Sequence, residues 1–341
     1  MSAEIELGRL VAGRFTDAGE PGCCAALIRG GAIAETVCVG MADPRSGAAV
    51  TPETNFRLAS MTKQFTAMAV LMLREDGALS LGASLTDLFP GFPVYGRPIT
   101  LRHLLWHTSG IRAYEGLLSE GETRQVRDAD VLALMAAQES GDFPPGGRFF
   151  YSNTGYALLA MAVEQITGTH FQEFLARRIF EPLGMTGTLA FVEDGPPVPR
   201  RAYGFRKRAG AWEFADQSPT SAVLGDGGVY CSVADYARWD AALSGGALVP
   251  PAAIAEAFAR GATSDGAPVD YGFGWRLERE HGCEVVYHTG STTGFNSCVR
   301  RMPARGVTVI ALANRTGTET HKITRDAARL LLARKSAAPR D

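Results

Sequence analysis

Hydrophobic residues near both ends of the chain occur in short runs that are separated by turns, a pattern typical of antiparallel strands. The runs Cys23–Ile28 and Ile33–Val39 flank the turn Arg29-Gly30-Gly31-Ala32, which predicts a β-hairpin. Towards the C-terminus the predicted strands are Gly274–Leu277, Glu284–His288, Phe295–Arg301 and Val307–Ala313, followed by a helix over Thr320–Ala333.

The middle of the chain has the periodicity of helices rather than strands. The predicted helices are Ser60–Glu75, Leu101–Trp106, Asp128–Glu139, Thr154–Thr167 and Phe171–Phe180. Strands at both ends with helices between them indicate an α+β fold, in which helices flank one antiparallel sheet built from distant segments. The expected lobes are residues 1–58 with 215–341, which carry the sheet, and the inserted, mainly helical residues 59–214. We expect the functional site in the cleft between these lobes.

The chain is nearly neutral, with 34 lysine and arginine residues against 36 aspartate and glutamate residues and a formal charge of −2. This balance argues against a nucleic-acid partner, which requires a strongly basic face. Glu4, Glu6, Arg9 and Arg14 interrupt the N-terminal region, so it lacks the apolar core of a signal peptide. The longest apolar run, Ala67–Leu73, is too short to span a membrane. The expectation is a cytoplasmic protein without a membrane partner.

The six cysteines show no metal-binding spacing and are sparse in a long chain. They are Cys23, Cys24, Cys38, Cys231, Cys283 and Cys298. Without a Cys-x-x-Cys pair or a His-rich tract, the sequence predicts buried free thiols rather than disulfides or zinc ligands. We expect neither a metal nor a cofactor.

The helix that begins at Ser60 has a polar first turn and is apolar from Phe65 onward, which predicts burial on all sides. Ser60 and Lys63 are three residues apart and share one face, so the ammonium group can lie against the hydroxyl. Burial makes such a lysine costly to keep charged, which suits a proton acceptor. These are the parts of a Ser–Lys nucleophile. The alternative is that Ser60 only caps the helix while Lys63 reaches solvent.

A second polar group, Tyr151-Ser152-Asn153, comes immediately before an apolar helix. Ser152 or Asn153 is a natural N-cap, and Tyr151 could be a core aromatic with a satisfied hydroxyl. Alternatively, Tyr151 is a general base or proton relay and Asn153 anchors a substrate amide. The residues alone leave both interpretations open.

The third group is His288-Thr289-Gly290-Ser291-Thr292-Thr293-Gly294-Phe295, which follows a predicted strand. Small residues there permit close approach of a ligand to the backbone. A single histidine at a strand end is commonly structural, but hydroxyl and glycine positions in succession serve an apolar core poorly. The pattern therefore favours a ligand-binding strand edge.

Other catalytic residue types have structural explanations. His107-Thr108-Ser109-Gly110 fits the end of a helix that Gly110 closes. The sequence contains no Gly-x-Ser-x-Gly elbow, phosphate-binding Gly-x-x-x-x-Gly-Lys loop or His-Glu-x-x-His pair. The α/β-hydrolase, nucleotide-binding and zinc-protease classes thereby lose their main support.

Taken in order, the three motifs resemble the serine β-lactamase and penicillin-binding D,D-peptidase superfamily, in its class C-like branch. Ser60-x-x-Lys63, Tyr151-Ser152-Asn153 and His288-Thr289-Gly290 are similar to that family's Ser-x-x-Lys, Tyr-x-Asn and Lys/His-Thr-Gly motifs. Supporting segments also resemble the family at Phe56-Arg57-Leu58-Ala59, Leu104-Leu105-Trp106-His107-Thr108-Ser109-Gly110, Pro182-Leu183-Gly184-Met185 and Gly227-Gly228-Val229-Tyr230-Cys231-Ser232. The resemblance extends over nearly the whole chain and implies a β-lactamase/transpeptidase-like fold.

The resemblance also implies a role for each motif residue. Ser60 would attack a carbonyl and become acylated, while Lys63 and Tyr151 transfer its proton to the leaving group. The backbone N–H groups of Ser60 and Ser291 would form an oxyanion hole. The other implied substrate-binding residues are Asn153, His288, Thr289 and Gly290.

The third motif departs from the usual class C pattern, because His288 stands where those β-lactamases carry a lysine. A histidine supplies positive charge to a substrate carboxylate only when it is protonated. His-Thr-Gly recurs in D,D-peptidase-like, D-amino-acid amidase and esterase-like relatives. We therefore predict a serine hydrolase of a small ester or amide, with an esterase preferred. The alternatives are a β-lactamase, a D,D-peptidase or D-aminopeptidase, an acyltransferase, or a penicillin-sensing module without turnover. The sequence does not indicate an oligomeric state.

Overall fold

The computed structural model describes residues 7–333, and in this range the largest sheet has six strands. They are β1 (Cys23–Arg29), β2 (Ala32–Val39), β3 (Arg276–Glu280), β4 (Cys283–Thr292), β5 (Phe295–Met302) and β6 (Val307–Ala313). The order across the sheet is β3-β4-β5-β6-β1-β2, and all neighbours are antiparallel. The N-terminal hairpin thus joins the C-terminal strands through β1 and β6, which confirms the predicted sheet.

Strand β4 is longer than the sequence predicts. The expected strand ends at His288, whereas β4 continues to Thr292, before a turn at Gly294 with a φ of +74°. Its last residues pair with β5, for example Gly290 with Ser297. Threonine is a good strand former and the other residues are small, so the ladder continues through them. The third motif therefore lies within the sheet rather than after it.

Helices occupy the predicted middle of the chain and cover the sheet. Among the described residues the α-helices are α1 (Leu7–Ala12), α2 (Lys63–Glu75), α3 (Leu85–Leu88), α4 (Leu101–Leu105), α5 (Asp128–Ala136), α6 (Asn153–Thr167), α7 (Phe171–Leu175), α8 (Leu224–Gly227), α9 (Val233–Gly245), α10 (Pro251–Ala257) and α11 (Thr320–Ala333). Shorter turns are the 3-10 helices Ala59–Thr62, Val94–Gly96, Tyr114–Leu117 and Pro303–Arg305, and a π-helical turn, Ala176–Phe180, that continues α7.

Two hydrophobic clusters lie on opposite faces of the sheet. On one face, Leu7 and Val11 of α1 and Ile323 of α11 pack with buried residues of β1 and β6. The other face belongs to the larger cluster, which includes the residues of α2 and α6. All residues of α2 from Lys63 to Leu73 are buried, as the apolar pattern predicts.

Smaller sheets connect the remaining segments. Their strands are Met41–Asp43, Ala48–Ala49, Phe56–Arg57, Leu189–Ala190, Phe205–Arg208, Ala211–Phe214, Val229–Cys231, Gly261–Ala262 and Pro268–Val269. Val229–Cys231 pairs with both Phe56–Arg57 and Leu189–Ala190, and so links segments from both predicted lobes. The lobe boundaries stay a prediction, and their outermost parts, residues 1–6 and 334–341, lie outside the described residues. No helix in residues 7–333 has the length and hydropathy to cross a membrane.

Candidate active site

Ser60 lies at a sharp bend between a strand and a helix. Ala59, the residue before it, has a φ of +50°. This left-handed conformation costs a residue with a Cβ roughly 1–2 kcal/mol. A 3-10 turn then leads into α2, which begins at Lys63 rather than at Ser60 as predicted. The bend leaves the Ser60 side chain half-buried at the edge of a cleft.

Lys63 is fully buried, and its ammonium nitrogen contacts three oxygen atoms. Nζ is 3.2 Å from Ser60 Oγ, 2.8 Å from Asn153 Oδ1 and 2.8 Å from the Asp226 carbonyl oxygen. All three acceptors are uncharged, and they come from three separate parts of the chain. The contacts fix the nitrogen against the serine hydroxyl, so the alternative in which Lys63 reaches solvent does not apply.

Helix α6 begins directly beside this pair. Ser152 is its N-cap and accepts a hydrogen bond from the Gly155 N–H at 3.3 Å. Asn153 accepts from Lys63 through Oδ1 and donates through Nδ2 to a carboxylate oxygen of Glu115, at 2.7 Å. A donor on one side and an acceptor on the other determine the orientation of this amide.

The ring of Tyr151 lies close to two cations. Lys63 Nζ and Arg276 Cζ are each 5.1 Å from the ring centroid, within the range of cation–π attraction. The Tyr151 side chain is half-buried. The structure therefore brings Ser60, Lys63, Tyr151 and Asn153 together, as the motif order predicts.

His107 supports this segment from behind. Its ring centroid is 4.3 Å from that of Tyr151, and its Nδ1 accepts a hydrogen bond from the Ser152 N–H at 3.1 Å. Helix α4 ends at Leu105, so Gly110 does not close it, contrary to the prediction. A Cβ at Gly110 would instead collide with a carbonyl oxygen of the chain at 1.9 Å. Through these contacts, the segment from His107 to Gly110 positions the motif Tyr151-Ser152-Asn153.

His288 is buried, with 1% of its surface exposed, and both ring nitrogens have partners within the protein. Nδ1 is 2.8 Å from the Thr289 carbonyl oxygen, which only accepts, so Nε2 accepts from the Tyr271 hydroxyl at 2.9 Å. Burial, together with the charges of Lys63 and Arg276, lowers the pKa of His288 from 6.5 to about 3. The imidazole is therefore uncharged at neutral pH, and it supplies no positive charge to a substrate carboxylate there.

Gly290 lies where β4 meets the segment before Ser60. A Cβ there would be 2.1 Å from the Leu58 carbonyl oxygen and 2.2 Å from Ser297 Oγ. The Ser297 hydroxyl donates to that same carbonyl at 2.7 Å. Because only a hydrogen atom fits, the glycine allows β4 and β5 to hold the nucleophile segment in place.

These elements border a cleft with a cavity volume of about 120 Å³. Three predicted site residues, Ser60, Asn153 and Ser291, line it. Thr289 and Gly290 line a second groove, which also borders Ser291. Further residues that line the first cleft, and that the motifs do not single out as site residues, include Arg57, Glu115 and Asp226. Arg57 lies in a segment that resembles the family, but Glu115 lies in a polar loop without any recognisable signal.

The charged side chains around the cleft differ in burial and in their hydrogen-bond partners. The buried guanidinium of Arg57 donates to three oxygens of the protein. Burial raises the pKa of Asp226 to about 6, against the lowering effect of Lys63. Glu115, by contrast, is exposed and has the Asn153 amide as its hydrogen-bond partner. In the described part of the chain, no group of three or more His, Cys, Asp or Glu side chains is arranged to bind a metal ion.

The geometry agrees with comparisons to known proteins. A family model described as Beta-lactamase matches residues 7–334. Penicillin-binding protein 4* from Bacillus subtilis (strain 168) is 32% identical over 276 residues, 76% of this chain and 60% of that protein. A D-aminopeptidase from Cereibacter sphaeroides is 29% identical over 290 residues, 81% of this chain and 53% of that protein.

A solved structure, the octameric penicillin-binding protein homologue from Pyrococcus abyssi, superposes with a TM-score of 0.83 and 26% identity. The alignment covers 96% of this chain and 77% of that one. The chain thus spans only 53–60% of the length of the two relatives compared by sequence. The fold, the order of the motifs and the match along residues 7–334 lead to one conclusion. The chain belongs to the β-lactamase family of serine hydrolases.

Proposed function

We propose that the protein cleaves a small amide or peptide bond through an acyl-enzyme on Ser60. Ser60 Oγ attacks the carbonyl carbon while its hydroxyl proton passes by way of Lys63 to Tyr151. Tyr151 passes a proton to the leaving nitrogen, and the C–N bond breaks. Water then attacks the Ser60 ester, releasing the acid and returning a proton to Ser60 Oγ. The 3.2 Å contact between Lys63 Nζ and Ser60 Oγ supports the first step.

The oxyanion that forms during attack needs donors in the same cleft. We assign this role to the backbone N–H groups of Ser60 and Ser291, because both residues line the cleft. Thr289 and Gly290 provide the strand edge along which the acyl part would lie. His288 takes no direct part in this scheme; its Nδ1 hydrogen bond orients the Thr289 carbonyl group instead.

The position of the Glu115 carboxylate is the observation on which the proposed substrate rests. Its exposed carboxylate borders the cleft and is held by the Asn153 amide, which itself binds Lys63. Such a carboxylate would bind the ammonium group of a substrate whose α-amino group is free. The D-aminopeptidase relative supports the same assignment. We therefore infer a D-amino-acid amide or an N-terminal D-residue of a peptide as the substrate.

The sequence alone favours an ester, and this preference stays a prediction. An ester of a D-amino acid would satisfy both interpretations, since Glu115 would bind the amine whichever atom leaves. A lactam with a carboxylate is less well matched, because the uncharged His288 supplies no fixed positive charge.

The test compares D-alanine p-nitroanilide with its N-acetyl derivative. Wild-type protein should cleave the free amine faster, and Ser60→Ala should abolish turnover of both. Glu115→Gln keeps an oxygen for the Asn153 amide but removes the charge, so kcat/KM for the free amine should fall about 10- to 100-fold. The acetylated substrate should be affected little.

Glu120→Gln is the matched control, because Glu120 is an exposed glutamate on the same loop that does not line the cleft. It should leave both activities unchanged. Residual turnover in Ser60→Ala would refute the acyl-enzyme. An equal loss on both substrates in Glu115→Gln would refute the amine subsite while leaving the serine mechanism intact. L-Alanine p-nitroanilide and a short-chain p-nitrophenyl ester complete the substrate set.

A further inference from the structure

The cysteines Cys24 and Cys38 are direct cross-strand partners in the hairpin of β1 and β2. Both are free thiols, and their sulfur atoms are 2.8 Å apart. This separation exceeds a disulfide bond of about 2.05 Å by less than 1 Å. Directly opposed residues of an antiparallel pair also have Cα separations of about 4.5–5.5 Å, within the range that a disulfide spans. A bond could therefore form with almost no backbone movement.

The surrounding backbone holds this pair in place. A Cβ at Gly22, two residues before Cys24, would be 2.1 Å from the carbonyl oxygen of Val39, which follows Cys38. The Gly22 N–H also donates to Asn314 Oδ1 at 2.7 Å. These contacts lie at the open end of the hairpin, where strands would otherwise separate most easily. They keep the two sulfur atoms close without a covalent link.

The two thiols differ in access and acidity. Cys24 is completely buried, whereas Cys38 is half-buried on β2, the edge strand of the sheet. The two thiols are hydrogen-bonded to each other, and this bond lowers the pKa of Cys38. The thiolate is the reactive form of cysteine. Cys38 is thus the sulfur that an oxidant can reach first, and Cys24 is placed behind it.

We propose that Cys24 and Cys38 form a reversible disulfide when the protein meets a low-molecular-weight disulfide such as glutathione disulfide. The Cys38 thiolate attacks one sulfur of the oxidant and forms a mixed disulfide, releasing one glutathione thiolate. The Cys24 thiol then loses its proton and attacks the Cys38 sulfur, releasing the second. The protein is oxidised by two electrons, and glutathione disulfide is reduced to two glutathione molecules.

The disulfide would crosslink β1 to β2, the edge strand of the six-stranded sheet. The closed loop is short, because the two cysteines are only 14 positions apart in sequence. By loop-entropy arguments, such a crosslink should raise Tm by several degrees, about 5 °C. This inference is independent of the proposed catalytic residues, because neither cysteine borders the cleft.

The experiment treats the folded chain of residues 1–341 with glutathione disulfide and measures its intact mass and tryptic peptides without reduction. The expected result is the loss of two hydrogen atoms and a crosslink between the peptides 15–29 and 30–45, both reversed by dithiothreitol. Cys24→Ser and Cys38→Ser should each abolish the crosslink. Cys23→Ser is the matched control for the neighbouring thiol in the same peptide, and should retain it.

Contrary outcomes are equally definite. An unchanged mass, a lasting glutathione adduct on Cys38, or a crosslink through Cys23 or Cys283 would each overturn the proposal. Far-ultraviolet circular dichroism and the thermal unfolding transition of each reduced variant report whether it is folded. An oxidised protein with an unchanged Tm would refute the stabilisation of the hairpin by the crosslink.

Discussion

Acidification should destabilise the protein through His288, and the structure gives the size of the effect. The histidine has a pKa of about 3 when folded and about 6.5 when unfolded, because burial is its main perturbation. Between these values the unfolded chain binds one more proton than the native protein. Stability is therefore complete above pH 6.5 and falls by about 1.4 kcal/mol for each pH unit below it. By pH 5 the loss from this one group is about 2 kcal/mol.

The assay compares wild-type protein with His288→Gln by urea unfolding at several pH values between about 7.5 and 5. Glutamine is uncharged throughout, so the variant lacks this contribution. The difference in unfolding free energy between the two proteins should shrink by about 2 kcal/mol over that range. His107, whose pKa burial also lowers, remains in both proteins and cancels in the comparison. A difference that does not change with pH would refute the assignment of His288 as a buried neutral imidazole.

Two further changes test the frame around the nucleophile. Gly290→Ala would place a Cβ 2.1 Å from the Leu58 carbonyl oxygen, so the segment before Ser60 must move. We expect a loss of about 1–3 kcal/mol in unfolding free energy and a strong fall in kcat/KM; wild-type turnover would contradict this. Asp128→Asn addresses an acid whose pKa burial raises to about 7. Because the native protein retains the Asp128 proton longer than the unfolded chain, wild-type stability relative to the variant should fall as pH rises from about 4 to 7, by urea unfolding. A constant difference would contradict that result.

Much of the fold was accessible from the sequence because the relevant signals are local. Alternating runs and glycine turns are visible in short windows, and they identified β1, β2, β5 and β6 within a residue or two. The start of α2, by contrast, lies at Lys63, three residues after the Ser60 start that the sequence predicts. The helix begins later because Ala59 has a left-handed backbone conformation. Close packing between β4 and the segment before Ser60 maintains that conformation. A single sequence carries no trace of that constraint.

The site residues likewise fall into those that a local sequence pattern reveals and those that only tertiary contacts select. Residues that act through side-chain chemistry at fixed spacing, such as Ser60 and Lys63, were visible as a motif. The third acceptor for Lys63 is the Asp226 carbonyl oxygen, a backbone atom 163 residues away, which any residue type could provide. Glu115 is one of several acids in a polar loop, and only tertiary contacts select it. Tyr114 N–H donates to Thr154 Oγ1 at 2.9 Å, which places the loop beside the start of α6.

A motif can locate a residue without determining its charge, as His288 illustrates. The His-Thr-Gly motif leaves the charge of His288 open, whereas burial in the sheet and two neighbouring cations make the charged form unfavourable. Arg57 borders the cleft, yet its guanidinium donates to oxygens of the protein. Glu115, by contrast, is an exposed carboxylate that accepts a hydrogen bond from the Asn153 amide. An ammonium group near the scissile carbonyl would complement this carboxylate, which favours the proposed amidase or aminopeptidase activity over that of a lactamase.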